Sequence, residues 1–365
     1  MTRCARALSI MVTAIVVGFV GLEINLRVFG GPIQIFNPLN GFHDGDSVLG
    51  WRGKKNIARR FHTPEFDVLV RQDADGFRAP EPPRPDGAPA NLLVLGDSLA
   101  WGWGVEQGEI FTDHLQRALA PDVAVYNRAV NGFSTGQEYL LLQQELDERD
   151  YAGVLLIVSR TDIGDNADDK KHRPAFDLTR GELTDRNQPP PGALKNPVER
   201  LIDDHSYAVN FISWQFAALK RWKQTFEKPR EEIPRHVPEP HEVPTPPVDD
   251  ESPGARAMPG YGVSERLLLE IVRTCRERGV PLHLAYSTTY LQQRHTPVDA
   301  GFRDLVEEIA AREDTSFVDL SDALEALYTD GVPALIPRDG HWSAAGHRAV
   351  ADVFLASGVL SPRSP

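Results

Sequence analysis

The chain has 365 residues, of which 41% are hydrophobic and 25% charged, a composition typical of a globular protein with a large core. Its 39 lysines and arginines stand against 52 aspartates and glutamates, and the net charge of -13 argues against a nucleic-acid partner. The two cysteines, Cys4 and Cys275, exclude a disulfide scaffold and a cysteine-rich metal site.

The N-terminal segment, residues 1–30, predicts a membrane anchor. The run Ala7–Leu22 holds no charged residue and the apolar pattern continues beyond it, close to the minimum length for a membrane-spanning helix. Arg3 and Arg6 precede the run, so the positive-inside rule places the N-terminus in the cytoplasm and the rest of the chain outside it. A cleaved signal peptide is the alternative, and the missing A-x-A site favours an uncleaved anchor. A wholly cytosolic enzyme is a third option.

Residues 31–90 predict a β-rich preface to the main domain. Hydrophobic and polar residues alternate there, as in Glu65–Val70, and glycines and prolines separate the alternating stretches. This pattern indicates short antiparallel strands.

From Asn91 to the C-terminus, the pattern predicts a single α/β domain. Five apolar runs predict strands: Leu92–Leu95, Val123–Tyr126, Val154–Val158, Leu282–Tyr286 and Phe317–Leu320. Five segments with helical spacing lie between or after them: Ile110–Leu119, Gln137–Leu146, Ser264–Arg278, Phe302–Arg312 and Ala344–Leu355. Continuous apolar strands that alternate with helices are typical of a parallel, doubly wound sheet covered on both faces.

A long insertion, about residues 165–260, separates the third and fourth predicted strands. Its last part, residues 229–259, holds nine prolines among charged residues, which predicts an extended loop without regular structure. This loop either shapes access to a site or is a solvated segment with no further role.

The strongest chemical signal is Gly96-Asp97-Ser98-Leu99, directly after the first predicted strand of the domain and before a helix. A serine on a strand-to-helix turn, at the carboxyl edge of a parallel sheet, has an exposed hydroxyl close to free backbone N–H groups. Ser98 is therefore a candidate nucleophile. On the tetrapeptide alone, a phosphate-binding or purely structural turn is an equal alternative.

A matching base and its partner lie near the C-terminus, in Asp339-Gly340-His341-Trp342. In an extended segment, residues two apart point to the same side, so the Asp339 carboxylate can hold the His341 imidazole in one tautomer. An activated serine needs such a base, and Ser98, Asp339 and His341 converge if this loop returns to the carboxyl edge. His347 competes as the base, but its place in a helix is more typical of packing.

Gly132 is a candidate for an oxyanion hole, because it follows the second strand in an Asn-Gly pair. A glycine there lets its backbone N–H approach a substrate oxygen, together with the N–H of Ser98. Asn-Gly is also a common turn, which is the structural alternative.

Together these residues resemble the SGNH hydrolase superfamily, also called GDSL esterases, over roughly Asn91–Leu355 with the insertion as an addition. The resemblance implies a flavodoxin-like three-layer α/β/α sandwich with a parallel sheet of order 2-1-3-4-5. It also implies that Ser98 is the nucleophile and Gly132 the oxyanion glycine. Asp339 and His341 match the last of the superfamily's sequence blocks. The preface looks like that of membrane-tethered members.

One block departs from the superfamily pattern. Where the superfamily has Gly-x-Asn-Asp, whose asparagine donates to the oxyanion, this chain reads Ser159-Arg160-Thr161-Asp162. The Thr161 hydroxyl can donate a hydrogen bond but is shorter than asparagine, and losing such a donor typically costs about a hundred- to thousandfold in turnover. We assign the oxyanion hole to Ser98, Gly132 and Thr161. The Asp-x-His-Trp form of the last block looks like that of polysaccharide O-acetyltransferase relatives.

For substrate binding we predict Asp97, Trp101 and Arg160. Packing at the sheet edge is the alternative for Trp101, and an ion pair with a neighbouring aspartate is the alternative for Arg160. No cofactor is predicted, since no phosphate-binding fingerprint occurs. No metal is predicted either, because the acidic run after the third strand lacks the spacing of a cation-binding loop.

These observations predict a membrane-anchored serine esterase that removes acyl groups, with acetyl as the expected group, from a carbohydrate or other small ester of the cell envelope. Its reaction would use Ser98, His341 and Asp339. Two alternatives share the fold. One is a polysaccharide O-acyltransferase, in which a sugar hydroxyl replaces water, and the other is a non-catalytic binding module, motivated by Thr161.

Overall fold

A computed structural model describes residues 3–29, 34–35, 41–63, 65–167, 173–179, 182–185, 205–213, 215–216, 254–289, 291, 294–337 and 339–358. Most of the predicted insertion, including its proline-rich part up to residue 253, lies outside these ranges.

Helix α1 (Arg3–Phe29) contains the predicted anchor. Its most apolar window has a mean hydropathy of 2.2 and no part of that window is buried in protein, so its length and composition suit a membrane-spanning helix or a signal sequence. Near its end, the Glu23 carboxylate accepts hydrogen bonds from the Ala208 N–H at 2.7 Å and the Ser206 hydroxyl at 3.0 Å. These bonds connect α1 to the described part of the insertion.

The described part of the preface contains five short strands in two small sheets. The strands are β1 (Gln34–Ile35), β2 (His43–Asp46), β3 (Gly50–Gly53), β4 (Ile57–His62) and β5 (Asp67–Gln72). β4 pairs antiparallel with β5 and parallel with β1, while β2 and β3 form an antiparallel pair. Phe42, Phe61 and Val70 are buried in the same hydrophobic cluster as Val94 of the main sheet. The preface therefore packs directly on the main domain.

The main sheet has five parallel strands in the order β12-β11-β8-β6-β7. Its strands are β6 (Ala90–Leu95), β7 (Val123–Asn127), β8 (Gly153–Val158), β11 (Leu282–Tyr286) and β12 (Ser316–Asp319). Between β8 and β11 lies the antiparallel pair β9 (Phe176–Thr179) and β10 (Glu182–Asp185). Counted along the domain, the order is 2-1-3-4-5, which confirms the predicted fold.

The structure gives the bounds of eight α-helices after the preface: α2 (Ser98–Trp101), α3 (Phe111–Leu119), α4 (Thr135–Glu148), α5 (Thr161–Ala167), α6 (Tyr261–Glu277), α7 (Pro297–Arg312), α8 (Ser321–Thr329) and α9 (Ala344–Ala356). Polar residues define several of their starts. Ser134 forms a capping box with Gln137 ahead of α4, and the Ser343 hydroxyl accepts from the Gly346 N–H at 3.1 Å ahead of α9.

Alternate residues of each strand face opposite sides of the sheet. Leu92 and Val94 lie in one hydrophobic cluster with side chains of α3, α8 and α9. Leu93 and Leu95 lie in a second cluster with side chains of α4, α6 and α7. Both faces of the sheet are thus covered by helices, which leaves its carboxyl edge as the place where loops meet.

Candidate active site

Ser98 is the first residue of α2, directly after the turn that ends β6. Gly96 adopts φ +155°, and a Cβ there would lie 2.7 Å from the Ala100 Cβ, so a glycine is required. The Asp97 carboxylate accepts the Leu99 N–H at 2.8 Å and caps the short helix. The N–H of Ser98 donates to no described residue, as is usual for the first N–H groups of a helix.

The C-terminal loop brings Asp339 and His341 to this turn. His341 Nε2 lies 2.7 Å from Ser98 Oγ, and His341 Nδ1 lies 2.5 Å from Asp339 Oδ1. The Ile336 N–H donates to the His341 carbonyl at 2.7 Å and closes the loop. Three side chains that were predicted to converge therefore form one continuous series of hydrogen bonds.

The order of these contacts decides which nitrogen carries the proton. An ionised carboxylate can only accept, so His341 Nδ1 donates to Asp339, which leaves Nε2 free to accept from the Ser98 hydroxyl. Burial would raise the pKa of Asp339, but hydrogen bonds from His341 and Trp103 hold that pKa below its ordinary value. A serine and imidazole in this arrangement can exchange a proton as the serine attacks an acyl carbon.

Trp103 contacts Asp339 and His341, a role that differs from the sugar-binding surface or packing that the sequence suggested for Trp101 and Trp103. Its indole N–H donates to Asp339 Oδ2 at 3.1 Å, and its ring stacks on the His341 imidazole with centroids 5.0 Å apart and planes at 21°. Trp103 lies in the Trp-Gly-Trp-Gly stretch after the serine, which is the signal that points to it in the sequence.

Asp97 and Trp101, which were predicted to bind substrate, make contacts within the protein. Trp101 is 1% exposed and packs against Phe42, with ring centroids 5.5 Å apart. It has no surface to offer a substrate, which corrects the prediction for it in favour of packing. Asp97 is part-buried and holds the helix cap, and burial raises its pKa to about 6.

The loop of Gly132 lies beside the Ser98 turn, because the Val130 N–H donates to the Gly96 carbonyl at 3.1 Å. Gly132 has φ +78°, and its N–H makes no hydrogen bond to any described residue. The Arg173 guanidinium donates to the Gly132 carbonyl at 2.7 Å and fixes the loop. Trp51 also supports this loop, since its indole N–H donates to the Asn131 carbonyl at 3.2 Å.

Arg173 and Trp51 are further contacts that sequence reasoning did not find. Arg173 lies in the insertion, 6% exposed in its side chain, and pairs with Asp165 at 3.0 Å. Its position beside Gly132 depends on how the insertion returns to the sheet, and the sequence carries no signal for that. Trp51 belongs to the preface.

Thr161 is exposed at the start of α5, and its hydroxyl lies 2.6 Å from the hydroxyl of the buried Ser159. The next residue, Asp162, is buried and accepts the N–H groups of Ser159 at 2.9 Å and Thr135 at 3.0 Å. Burial and the neighbouring Asp97 raise the pKa of Asp162 to about 8. These bonds fix the backbone that carries Thr161.

Arg160 precedes Thr161, and its Nε lies 3.9 Å from Asp299 Oδ1. Burial raises the pKa of Asp299 to about 6, and Arg160 opposes that rise. The contact corresponds to the predicted ion-pair alternative. The Arg160 side chain remains 30% exposed.

His347, the competing base, lies apart from the hydroxyl of Ser98. It is 1% exposed, stacks on Phe111 with centroids 6.1 Å apart, and accepts the Phe111 N–H at 3.3 Å. Burial lowers its pKa to about 3. His347 therefore has the packing role that its helical position predicted.

Several solved structures are similar to this chain at low sequence identity. The crystal structure of TesA is 16% identical, with a TM-score of 0.41 over 74% of this chain and 98% of that chain. A catalytic mutant of Axe2, described as an acetylxylan esterase from Geobacillus stearothermophilus, is 16% identical, with a TM-score of 0.40 over 76% and 99%. The esterase EstA from Pseudoalteromonas sp. is 12% identical, with a TM-score of 0.39 over 73% and 96%.

No curated protein sequence matches the chain. The model of the GDSL-like lipase/acylhydrolase family matches residues 94–349, which include Ser98, Gly132, Asp339 and His341. This match spans more than half of the sequence and contains both ends of the hydrogen-bonded series. The chain belongs to the GDSL-like lipase/acylhydrolase family.

Proposed function

We propose that this protein is a serine esterase that hydrolyses short-chain O-acyl esters, with acetyl as the expected acyl group, in the cell envelope. The observation that carries the proposal is the series Ser98 Oγ, His341 Nε2, His341 Nδ1 and Asp339 Oδ1, joined at 2.7 Å and 2.5 Å. Membership of a family of lipases and acylhydrolases supports the ester as the bond that is cleaved.

In the proposed reaction, Ser98 Oγ attacks the ester carbonyl carbon while His341 Nε2 takes the hydroxyl proton. The bond to the leaving alcohol breaks as His341 returns the proton to it, which leaves an acyl group on Ser98. Water then attacks this acyl-enzyme with His341 again as the base. The carboxylic acid departs and Ser98 regains its proton.

The negative charge on the carbonyl oxygen needs donors, and three groups are proposed for it. The N–H groups of Ser98 and Gly132 lack partners among the described residues, and the hydrogen bond from Val130 to Gly96 brings their two turns together. The Thr161 hydroxyl, at the carboxyl end of the adjacent β8, is the third donor. Such donors stabilise the transition state more than the ground state.

The short acyl group is proposed from the surroundings of Gly132. A Cβ placed on Gly132 would meet only Trp51, at 3.5 Å from Cζ2, so the indole covers this loop at van der Waals distance. We propose that an acyl chain held beside the oxyanion donors contacts this ring. We therefore expect acetyl esters to react faster than octanoyl esters.

The location in the envelope is proposed from α1. Arg3 and Arg6 precede its apolar stretch, and the hydrophobic side chains of that stretch are exposed. The catalytic domain follows this helix in the chain and would lie in the periplasm or outside the cell.

The test is covalent labelling of the full chain in detergent with a fluorophosphonate probe, read by intact mass. We expect one adduct on the wild type and none on Ser98→Ala or His341→Ala, because the probe needs an activated serine. A folded wild type that takes no label overturns the proposal. An adduct that persists in Ser98→Ala places the nucleophile elsewhere.

A further inference from the structure

Trp103 contacts both the acid and the base of the proposed site. Its indole N–H donates to Asp339 Oδ2 at 3.1 Å, while Asp339 Oδ1 faces His341 Nδ1 at 2.5 Å. The two oxygens of one carboxylate are thus divided between Trp103 and His341. The indole face lies on the imidazole, with centroids 5.0 Å apart.

Aromatic rings of the preface hold Trp103 in this position. The Phe61 ring meets the indole edge to face at 4.8 Å and 90°, and Phe66 meets it at 6.2 Å and 81°. Gly104 follows with φ +69°, and a Cβ there would lie 2.4 Å from Ile336 and 2.8 Å from Phe66. The chain after Trp103 is therefore wedged between the preface and the loop that carries Asp339.

A buried arginine of the preface fixes the backbone on both sides of Trp103. Arg78 is 2% exposed and donates to the carbonyls of Gly102 at 3.3 Å and Val105 at 3.1 Å. Burial lowers the pKa of Arg78 to about 10. This value is still well above neutral pH, so the guanidinium is charged. Hydrogen bonds from a charged group to these carbonyls restrain the loop more strongly than neutral ones would.

We propose that Trp103 is a positioning residue for the Asp339–His341 pair, and that the preface takes part in the reaction because it holds Trp103. The inference rests on the proposed function and deepens it. The indole N–H fixes the rotation of the carboxylate, so that Oδ1 stays aimed at His341 Nδ1. The indole face stabilises the imidazolium that forms when His341 takes the serine proton.

The test compares wild type with Trp103→Phe in the full chain in detergent, by NMR titration of the imidazole signal of His341. The signal is assigned by its loss in His341→Gln. Phenylalanine keeps an aromatic face but removes the N–H, so the Asp339 carboxylate can rotate and its Oδ1 no longer stays aimed at His341 Nδ1. We expect the titration midpoint of His341 to fall, because the imidazolium loses part of its bond to the carboxylate. A midpoint at or above the wild-type value overturns the proposal.

Trp101→Phe is the matched control, because Trp101 lies in the same stretch but is buried against Phe42. We expect it to lower thermal stability without moving the His341 midpoint. If Trp103→Phe fails to fold, the pH dependence of the Trp103 indole N–H signal in the wild type tests the proposal. That signal must shift with pH together with the His341 signal, and a signal that stays constant across the His341 titration overturns the proposal.

A kinetic measurement separates this inference from the proposed function. We expect Trp103→Phe to lower kcat/KM for an acetyl ester about ten- to hundredfold, the loss typical of a hydrogen bond to a charged group, with kcat more affected than KM. If the probe labels the wild type but Trp103→Phe reacts at an unchanged rate, the role of Trp103 is rejected and the proposed function stands. Unlabelled wild type rejects the proposed function, and the NMR titration still decides for Trp103.

Discussion

The hydroxyls of Ser159 and Thr161 lie 2.6 Å apart, at the position where the superfamily pattern has its oxyanion asparagine. Ser159 is 1% exposed and Thr161 is exposed. When the buried hydroxyl donates to the exposed one, Thr161 keeps its own O–H for a substrate oxygen. In that arrangement Ser159 orients the Thr161 hydroxyl as a donor, which gives the oxyanion role proposed for Thr161 a physical basis.

Thr161→Val is predicted to lower kcat on a p-nitrophenyl acetate substrate about tenfold or more, because valine keeps the shape but has no donor. KM is expected to change little, since the lost bond is strongest in the transition state. The measurement is steady-state kinetics of the full chain in detergent.

Two companion variants make the Thr161 prediction specific. Ser159→Ala should lower kcat in the same direction but less, because Thr161 keeps its hydroxyl and loses only its orientation. Thr161→Asn should retain kcat or raise it. Equal rates in wild type and Thr161→Val would remove Thr161 from the proposed oxyanion hole.

The sheet was predictable from the sequence because its strands are buried on both faces. The run Leu282–Tyr286 is apolar except for His283, and β11 has these same bounds. Apolar strand runs need no knowledge of distant contacts. Helix α8 was not predicted, although Leu324, Leu327 and Tyr328 have helical spacing and pack in one hydrophobic cluster.

The site was predictable where chemistry and local position coincide, as for Ser98 and His341. Which of Trp101 and Trp103 contacts Asp339 was not predictable, because it depends on a turn at Gly102. The φ of +87° at Gly102 ends α2 and redirects the chain. The bond from Trp103 to Asp339 joins residues 236 positions apart. A single sequence carries no signal for which of two tryptophans makes such a contact.

Asp339→Asn is predicted to reduce kcat about a thousandfold or more, with the fold intact. The indole N–H of Trp103 needs an acceptor, so the asparagine oxygen turns toward Trp103 and its NH2 group faces His341 Nδ1. The imidazole then accepts at Nδ1 and carries its proton on Nε2, the wrong tautomer for a base.

Kinetics and circular dichroism of Asp339→Asn check this prediction together. A normal spectrum with kcat within tenfold of wild type would contradict the role of the carboxylate. The double variant Asp339→Asn with Trp103→Phe should be less impaired than the single asparagine variant, because the amide is then free to turn its oxygen toward His341.

His347 is predicted to make the free energy of unfolding fall as the pH is lowered. Its pKa is about 3 in the folded chain and near 6.5 in the unfolded one. Between these values the unfolded chain binds a proton that the folded chain does not, so stability is lost toward acid by up to about 1.4 kcal/mol per pH unit.

His347→Gln provides the comparison, because glutamine does not titrate and can accept the Phe111 N–H. Urea unfolding of both proteins from pH 7 to pH 4 measures the effect. The variant is expected to be the less stable protein at pH 7, and the difference should shrink as the pH falls. A difference that stays constant over this range would show that His347 takes up its proton in the folded chain.

The orientation of α1 is predicted to be readable from the two natural cysteines. Cys4 is exposed at the start of α1, whereas Cys275 is 1% exposed and burial raises its pKa to about 12. A membrane-impermeant maleimide therefore reacts with Cys4 and not with Cys275 in the folded protein. In intact cells Cys4 should stay unlabelled, because the orientation proposed from Arg3 and Arg6 places it in the cytoplasm. Labelling should appear once the membrane is permeabilised, and the Cys4→Ser variant should show none in either case.

Labelling in intact cells would reverse the proposed orientation, and an intact mass that lacks the N-terminal residues would identify the helix as a cleaved signal sequence.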